Sequence, residues 1–108
     1  MWNVNGNEIT MTEGDFGLLL PLTVNGATFT AADELLFEIK AQANGETLIA
    51  KNFTYSDIDN NTVNIELTEA ESATLSVGTY CWTLDWYQDG VFLCNVVRVA
   101  VFKVVDKA

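Results

Sequence analysis

Turn signals set the terms for this chain. They stand at Asn5-Gly6, Gly14-Asp15, Asn25-Gly26, Asn44-Gly45, Asp59-Asn60-Asn61, Gly78 and Asp89-Gly90, and the runs between them are short and rich in β-branched, leucine and aromatic residues. That pattern predicts an antiparallel β-sandwich or barrel. The expected strands cover residues 2–4, 8–11, 17–24, 35–41, 47–53, 62–67, 79–87 and 91–104, with no repeat or linker dividing residues 1–108 into more than one domain.

Alternation assigns the faces. Leu35, Phe37 and Ile39 point one way while Leu36, Glu38 and Lys40 point the other, so the first set should face the core. Val63, Ile65 and Leu67 do the same against Asn64 and Glu66. The run "GLLLPLTV" is apolar on both faces, and Pro21, which cannot donate a ladder hydrogen bond, marks an edge, a bulge or a strand that changes sheets.

One stretch is helical. In "LTEAESATL", Thr68 precedes Glu71 by three positions, the spacing of a capping box, so a short helical turn should cross between the sheets with Leu67 and Leu75 anchoring its ends.

Asp89-Gly90 is the strongest hairpin signal, since both central positions of a type I′ turn need positive φ. A regular ladder from that turn puts Gln88 opposite Val91, Trp86 opposite Leu93, Trp82 opposite Val97 and Tyr80 opposite Val99. This face should be core. On the other face Tyr87 meets Phe92, Asp85 meets Cys94, Thr83 meets Val96 and Cys81 meets Arg98, and Tyr87, Phe92 and Val96 are the interface candidates. Cys81 and Cys94 would then lie about 13 Å apart along the strands, beyond the ~7 Å reach of a disulfide, so both thiols should be free. The predicted core is Phe37, Ile39, Val63, Ile65, Tyr80, Trp82, Trp86, Val97 and Val99. An aromatic stripe can also stack sugars or bases, but at period-two spacing beside a valine-rich strand it reads as core. "LSVGTY" places Tyr80 as a tyrosine corner, its hydroxyl bonding backbone upstream.

Composition limits the chemistry. The 108 residues suffice for one real core, and the 49% hydrophobic fraction argues against disorder despite a net charge of -10. Lys40, Lys51, Arg98, Lys103 and Lys107 form no basic stripe, so no nucleic-acid partner is expected. The start "MWNVNGNEIT" has no basic, then apolar, leader pattern, and "VFLCNVVRVAVF" falls short of the ~20 residues of a membrane span, so neither export by a signal peptide nor a membrane partner is expected. With no histidine, Cys81 lacks a general base, and zinc is disfavoured. "DIDNN" begins like a calcium loop, but Thr62 replaces the required glycine and Thr68 the bidentate glutamate; a side-chain-bonded turn and a weak calcium site at Asp57 and Asp59 remain as alternatives. No GxSxG elbow, Walker loop or dinucleotide fingerprint occurs. No catalytic residue, no metal and no cofactor is expected, and the chain reads as non-enzymatic.

The motifs "GNEITMTEGD" at 6–15, "DELLFEIK" at 33–40, "LIAK" at 48–51, "VNIELT" at 63–68 and "LSVGTY" at 75–80 make the chain resemble small immunoglobulin-like proteins encoded among phage and prophage tail genes of gut Firmicutes. These are related to the N-terminal domain of upper baseplate proteins. The usual ending of their "GxYxYDIQL" strand is replaced by "GTYCWTLDW". The resemblance implies an immunoglobulin-like antiparallel β-sandwich, a tail or baseplate building block that assembles with other virion subunits, and localisation to the virion after synthesis in the bacterial cytoplasm. Such a component is expected to self-associate or dock through a strand edge or the face bearing Tyr87, Phe92 and Val96. A binding module for a host glycan or surface protein is the alternative.

Overall fold

A computed structural model describes residues 3–5, 7–17, 19–43 and 45–106. The first expected strand, the turns at Asn5-Gly6 and Asn44-Gly45, and Leu18 of the expected strand 17–24 thus fall partly outside the described residues. The strands are β1 (Asn3–Asn5), β2 (Glu8–Thr12), β3 (Leu20–Thr23), β4 (Asp33–Lys40), β5 (Thr47–Phe53), β6 (Thr62–Ile65), β7 (Gly78–Gln88) and β8 (Val91–Val105). A 3₁₀ turn at Tyr55–Asp57 precedes β6, and helix α1 (Glu69–Ala73) follows it. The protein is an all-β sandwich: one sheet runs in the order β1-β2-β8-β7-β4-β5 and faces a small sheet of β3 and β6. Pairing is antiparallel except between β2 and β8, which run parallel.

Local chemistry accounts for the elements. β4 alternates buried and half-buried residues along its length, and Phe37 and Ile39 are fully buried. Val63 and Ile65 of β6 oppose them from the small sheet and are also fully buried. Pro21 lies in β3, which has β6 as its one strand partner among the described residues, so the proline costs no interior ladder bond. The capping box forms as expected. Thr68 Oγ1 accepts from the Glu71 backbone N–H at 3.2 Å while Glu71 Oε1 accepts from the Thr68 N–H at 2.9 Å. Leu67 and Leu75 are buried at the two ends of the crossing.

Two strands cannot cover a sheet of six, and three further devices close the gap. The loop between β3 and β4 lays Phe29 over Trp86, ring centroids 4.8 Å apart. The Trp82 indole N–H donates to the Asn7 carbonyl at 2.8 Å, tying β7 to the β1–β2 connection. On the β5 side, Lys51 points inward and its Nζ donates to Glu71 Oε1 at 2.6 Å, bridging the large sheet to α1. Tyr80 makes the expected corner, its hydroxyl donating to the Ser76 carbonyl at 2.7 Å. At roughly 1.5–3 kcal/mol for each fully buried large apolar side chain, the core built on Trp82, Phe37, Phe102 and their neighbours is the main favourable term.

The β7–β8 ladder departs from a regular register. It begins as expected, Gln88 opposite Val91 and Tyr87 opposite Phe92, but slips at three places, so that Trp86 meets Cys94, Leu84 meets Val97, Trp82 meets Ala100 and Tyr80 meets Phe102. Three one-residue slips are an odd number, and an odd displacement exchanges the faces of a strand. Phe102 and Val104 therefore fill the core, whereas Val99, expected inside, is 49% exposed. The physical reason lies in β8 itself: "VFLCNVVRVAVF" is apolar at nearly every position, so no alternation pins a regular pairing.

Candidate functional site

The strands do not overlap fully. β4 flanks β7 from Lys40 opposite Cys81 to Asp33 opposite Gln88, and β2 flanks β8 along Phe102–Val105. Among the described residues, 91–101 of β8 thus has β7 on one side and no strand on the other. The type I′ tip, with Asp89 at φ 53° and Gly90 at φ 78°, is held in place by the Asp89 N–H donating to the Ala32 carbonyl at 3.0 Å. The result is a pinned hairpin with a free edge.

Its surface is mostly apolar, interrupted by the exposed Asn95 and Arg98. Val91 is 63% exposed, Phe92 48%, Leu93 47%, Val99 49% and Val101 38%, and residues 91–95 are all exposed. Tyr87 and Phe92, paired across the ladder, meet edge to face with centroids 5.7 Å apart. Beside them Asn95 donates to Asp85 at 2.7 Å. Of the three interface candidates, these two aromatics come together on the outer face, and Phe92 presents its ring to solvent. Val96 does not join them. It stands at the slip between Leu84 and Asp85, without a cross-strand partner, and packs against the core. Leu93, Val99 and Val101 are the residues a regular register misses; the one sequence signal for them is the loss of period-two alternation after Phe92.

Of the predicted core residues, Phe37, Ile39, Val63, Ile65 and Trp82 are buried, and Tyr80, Trp86 and Val97 are half-buried against them. Cys81 and Cys94 are both free thiols, the second exposed. On the outer face beneath these strands, Thr83 is buried, yet its hydroxyl has no hydrogen-bond partner among the described residues.

Behind the hairpin, at the start of β4, sits a buried carboxylate that residue patterns do not reveal. Asp33 is 1% exposed. Its Oδ2 accepts from the Thr30 backbone N–H at 2.6 Å and the Thr30 hydroxyl at 3.2 Å, and its Oδ1 from the Trp86 indole at 2.9 Å and the Gln88 amide at 3.2 Å. Burial alone would raise its pKa, but these bonds, led by that from Trp86, outweigh burial and hold the carboxyl below its ordinary value. With both oxygens occupied by structural donors, Asp33 pins the β3–β4 loop and both hairpin strands together.

The "DIDNN" stretch resolves into two turns. Asp57 Oδ2 accepts from the Thr54 N–H at 3.0 Å and hydroxyl at 3.1 Å, fixing the 3₁₀ turn, and Asp59 exchanges backbone hydrogen bonds with Thr62 around Asn60-Asn61. Among the described residues no group of three or more Cys, Asp or Glu converges as metal ligands would, and no helix is long and apolar enough to cross a membrane. Comparison with known protein families, curated proteins and solved structures finds no match to the chain.

Proposed function

We propose that the chain is a non-enzymatic assembly domain of a phage or prophage tail or baseplate, acting through protein–protein contacts with other virion subunits and with copies of itself. The observation that carries this reading is the largely apolar stretch 91–101 of β8, whose outer edge has no strand partner among the described residues. An exposed apolar strand edge is an aggregation hazard in a free protein and a binding template in an assembly. The three slips in its ladder bend and twist this edge, which disfavours indiscriminate pairing while leaving Phe92, Leu93 and Val99 available for contact. The charge of -10 favours a partner with a basic surface and disfavours a phosphate backbone. The tail-protein motifs point to virion subunits as that partner.

Sedimentation of the chain alone and with the products of neighbouring tail genes tests the proposal. Concentration-dependent mass or a stable complex is expected, lost in a Phe92→Lys/Leu93→Lys variant that melts like wild type. A chain that remains monomeric at every concentration and binds none of those products refutes it.

A further inference from the structure

We infer that a recess at one end of the sandwich is a binding site for a single neutral saccharide ring. The inference does not rest on the assembly reading, because the recess lies outside the exposed edge of β8. Three segments form it: the loop carrying Ala27, Thr28 and Phe29, the 3₁₀ turn carrying Tyr55, and the Asn60-Asn61 turn. They converge because the Asn61 amide donates to the Ala27 carbonyl at 2.8 Å, and the Val24 N–H to the Asn61 carbonyl at 2.8 Å.

The lining has the chemistry of a sugar site. Tyr55 is 48% exposed and offers an aromatic wall, and Phe29, backed by Trp86, supplies an apolar floor. Among the described residues the Asn60 carboxamide has no hydrogen-bond partner, and Asn61 uses its NH₂ and leaves its side-chain oxygen free. A carboxamide presents donors and an acceptor side by side, matching hydroxyl groups that both donate and accept. Among the described residues no charged side chain lines the recess, in a chain with fifteen acidic and five basic residues. The nearby Asp57 carboxylate is already engaged by Thr54. Among the described lining residues a cation finds no carboxylate and a phosphate no basic group, so an uncharged ligand fits this lining best. The volume, about 240 Å³, is below the ~300–1,000 Å³ of drug-sized sites and suits one ring.

The site is also pre-formed. Asn60 and Asn61 have φ of 51° and 60°, held by the reciprocal Asp59–Thr62 backbone bonds, and the Thr54–Asp57 contacts fix the turn that carries Tyr55. Little conformational freedom remains to be lost on binding.

Saturation-transfer NMR on the full chain with glucose, galactose, mannose and N-acetylglucosamine, each tested separately, decides the matter. Transfer to the ring protons of at least one sugar is expected, with a Kd of about 1 mM. Tyr55→Ala should weaken it roughly tenfold or more, Tyr55→Phe should retain it, and Asn60→Gly, which removes the amide but accepts positive φ, should weaken it without moving the melting temperature. The Phe92→Lys/Leu93→Lys variant should bind like wild type, so loss of assembly and loss of sugar binding are read separately. No transfer from any of the four sugars, or transfer unchanged in Tyr55→Ala, overturns the inference.

Discussion

Replacing Asp33 by Asn changes almost nothing in shape and removes one charge, which makes it a sharp probe of the pin between loop and hairpin. The wild-type carboxylate accepts four hydrogen bonds, two at each oxygen. An amide keeps one acceptor. If its oxygen stays with Thr30, its NH₂ faces the Trp86 indole and the Gln88 amide, donors against a donor. Leaving a buried donor unpaired costs about 1–3 kcal/mol, and exchanging charge-assisted bonds for neutral ones at Thr30 costs about 1 kcal/mol more. The sum is about 3 kcal/mol. At about 4–8 °C per kcal/mol for a domain near this size, the melting temperature should fall by roughly 15 °C.

Urea denaturation followed by tryptophan fluorescence measures this directly, since Trp86 is itself a partner. The pH dependence supplies an independent check. Because the folded-state pKa of Asp33 lies below its ordinary 3.8, its contribution is fully present above that value and is lost as pH falls through the folded-state pKa. The wild-type advantage over Asp33→Asn should therefore be constant from neutral pH down to about 5 and shrink below about 4. An Asp33→Asn protein within about 0.5 kcal/mol of wild type at neutral pH, or an advantage that does not shrink in acid, refutes the reasoning.

Two other substitutions separate further effects. Lys51→Ala should cost no more than about 1 kcal/mol in the same denaturation assay, because its bridge to Glu71 is a quarter exposed, whereas Glu71→Ala should cost more, since Glu71 Oε1 also closes the cap of α1. Thr83→Val should raise stability by about 1 kcal/mol in a thermal melt, because a buried hydroxyl without a partner is exchanged for a methyl suited to a strand; a destabilised variant would show that the hydroxyl is bonded after all.

Much of the fold was legible where signals are local. The alternation in β4 and β6, the Thr68–Glu71 cap, the Asp89-Gly90 turn and the Tyr80 corner each span a few residues, and the structure realises all four. The candidate site was half legible. Tyr87 and Phe92 follow from the turn because they lie two pairs from it, before the ladder slips. Beyond that point a strand apolar on both faces carries no instruction about which face to bury.

Local signals specified the inventory of strands along the chain and the end of the hairpin, not the order of strands in the sheets or the parallel pairing of β2 with β8. Alternation and turn chemistry act over distances the local backbone controls. The tertiary structure decided which residues of β8 leave the core, through slips that let Phe102 and Val104 reach the space between the sheets. It also made Asp33 a buried anchor, by bringing Trp86 and Gln88 to it across 53 and 55 residues of chain, and built the Tyr55–Asn61 recess around a contact spanning 34. Such contacts come from filling a shared volume and satisfying every buried polar group at once, conditions that no short stretch of residues encodes alone.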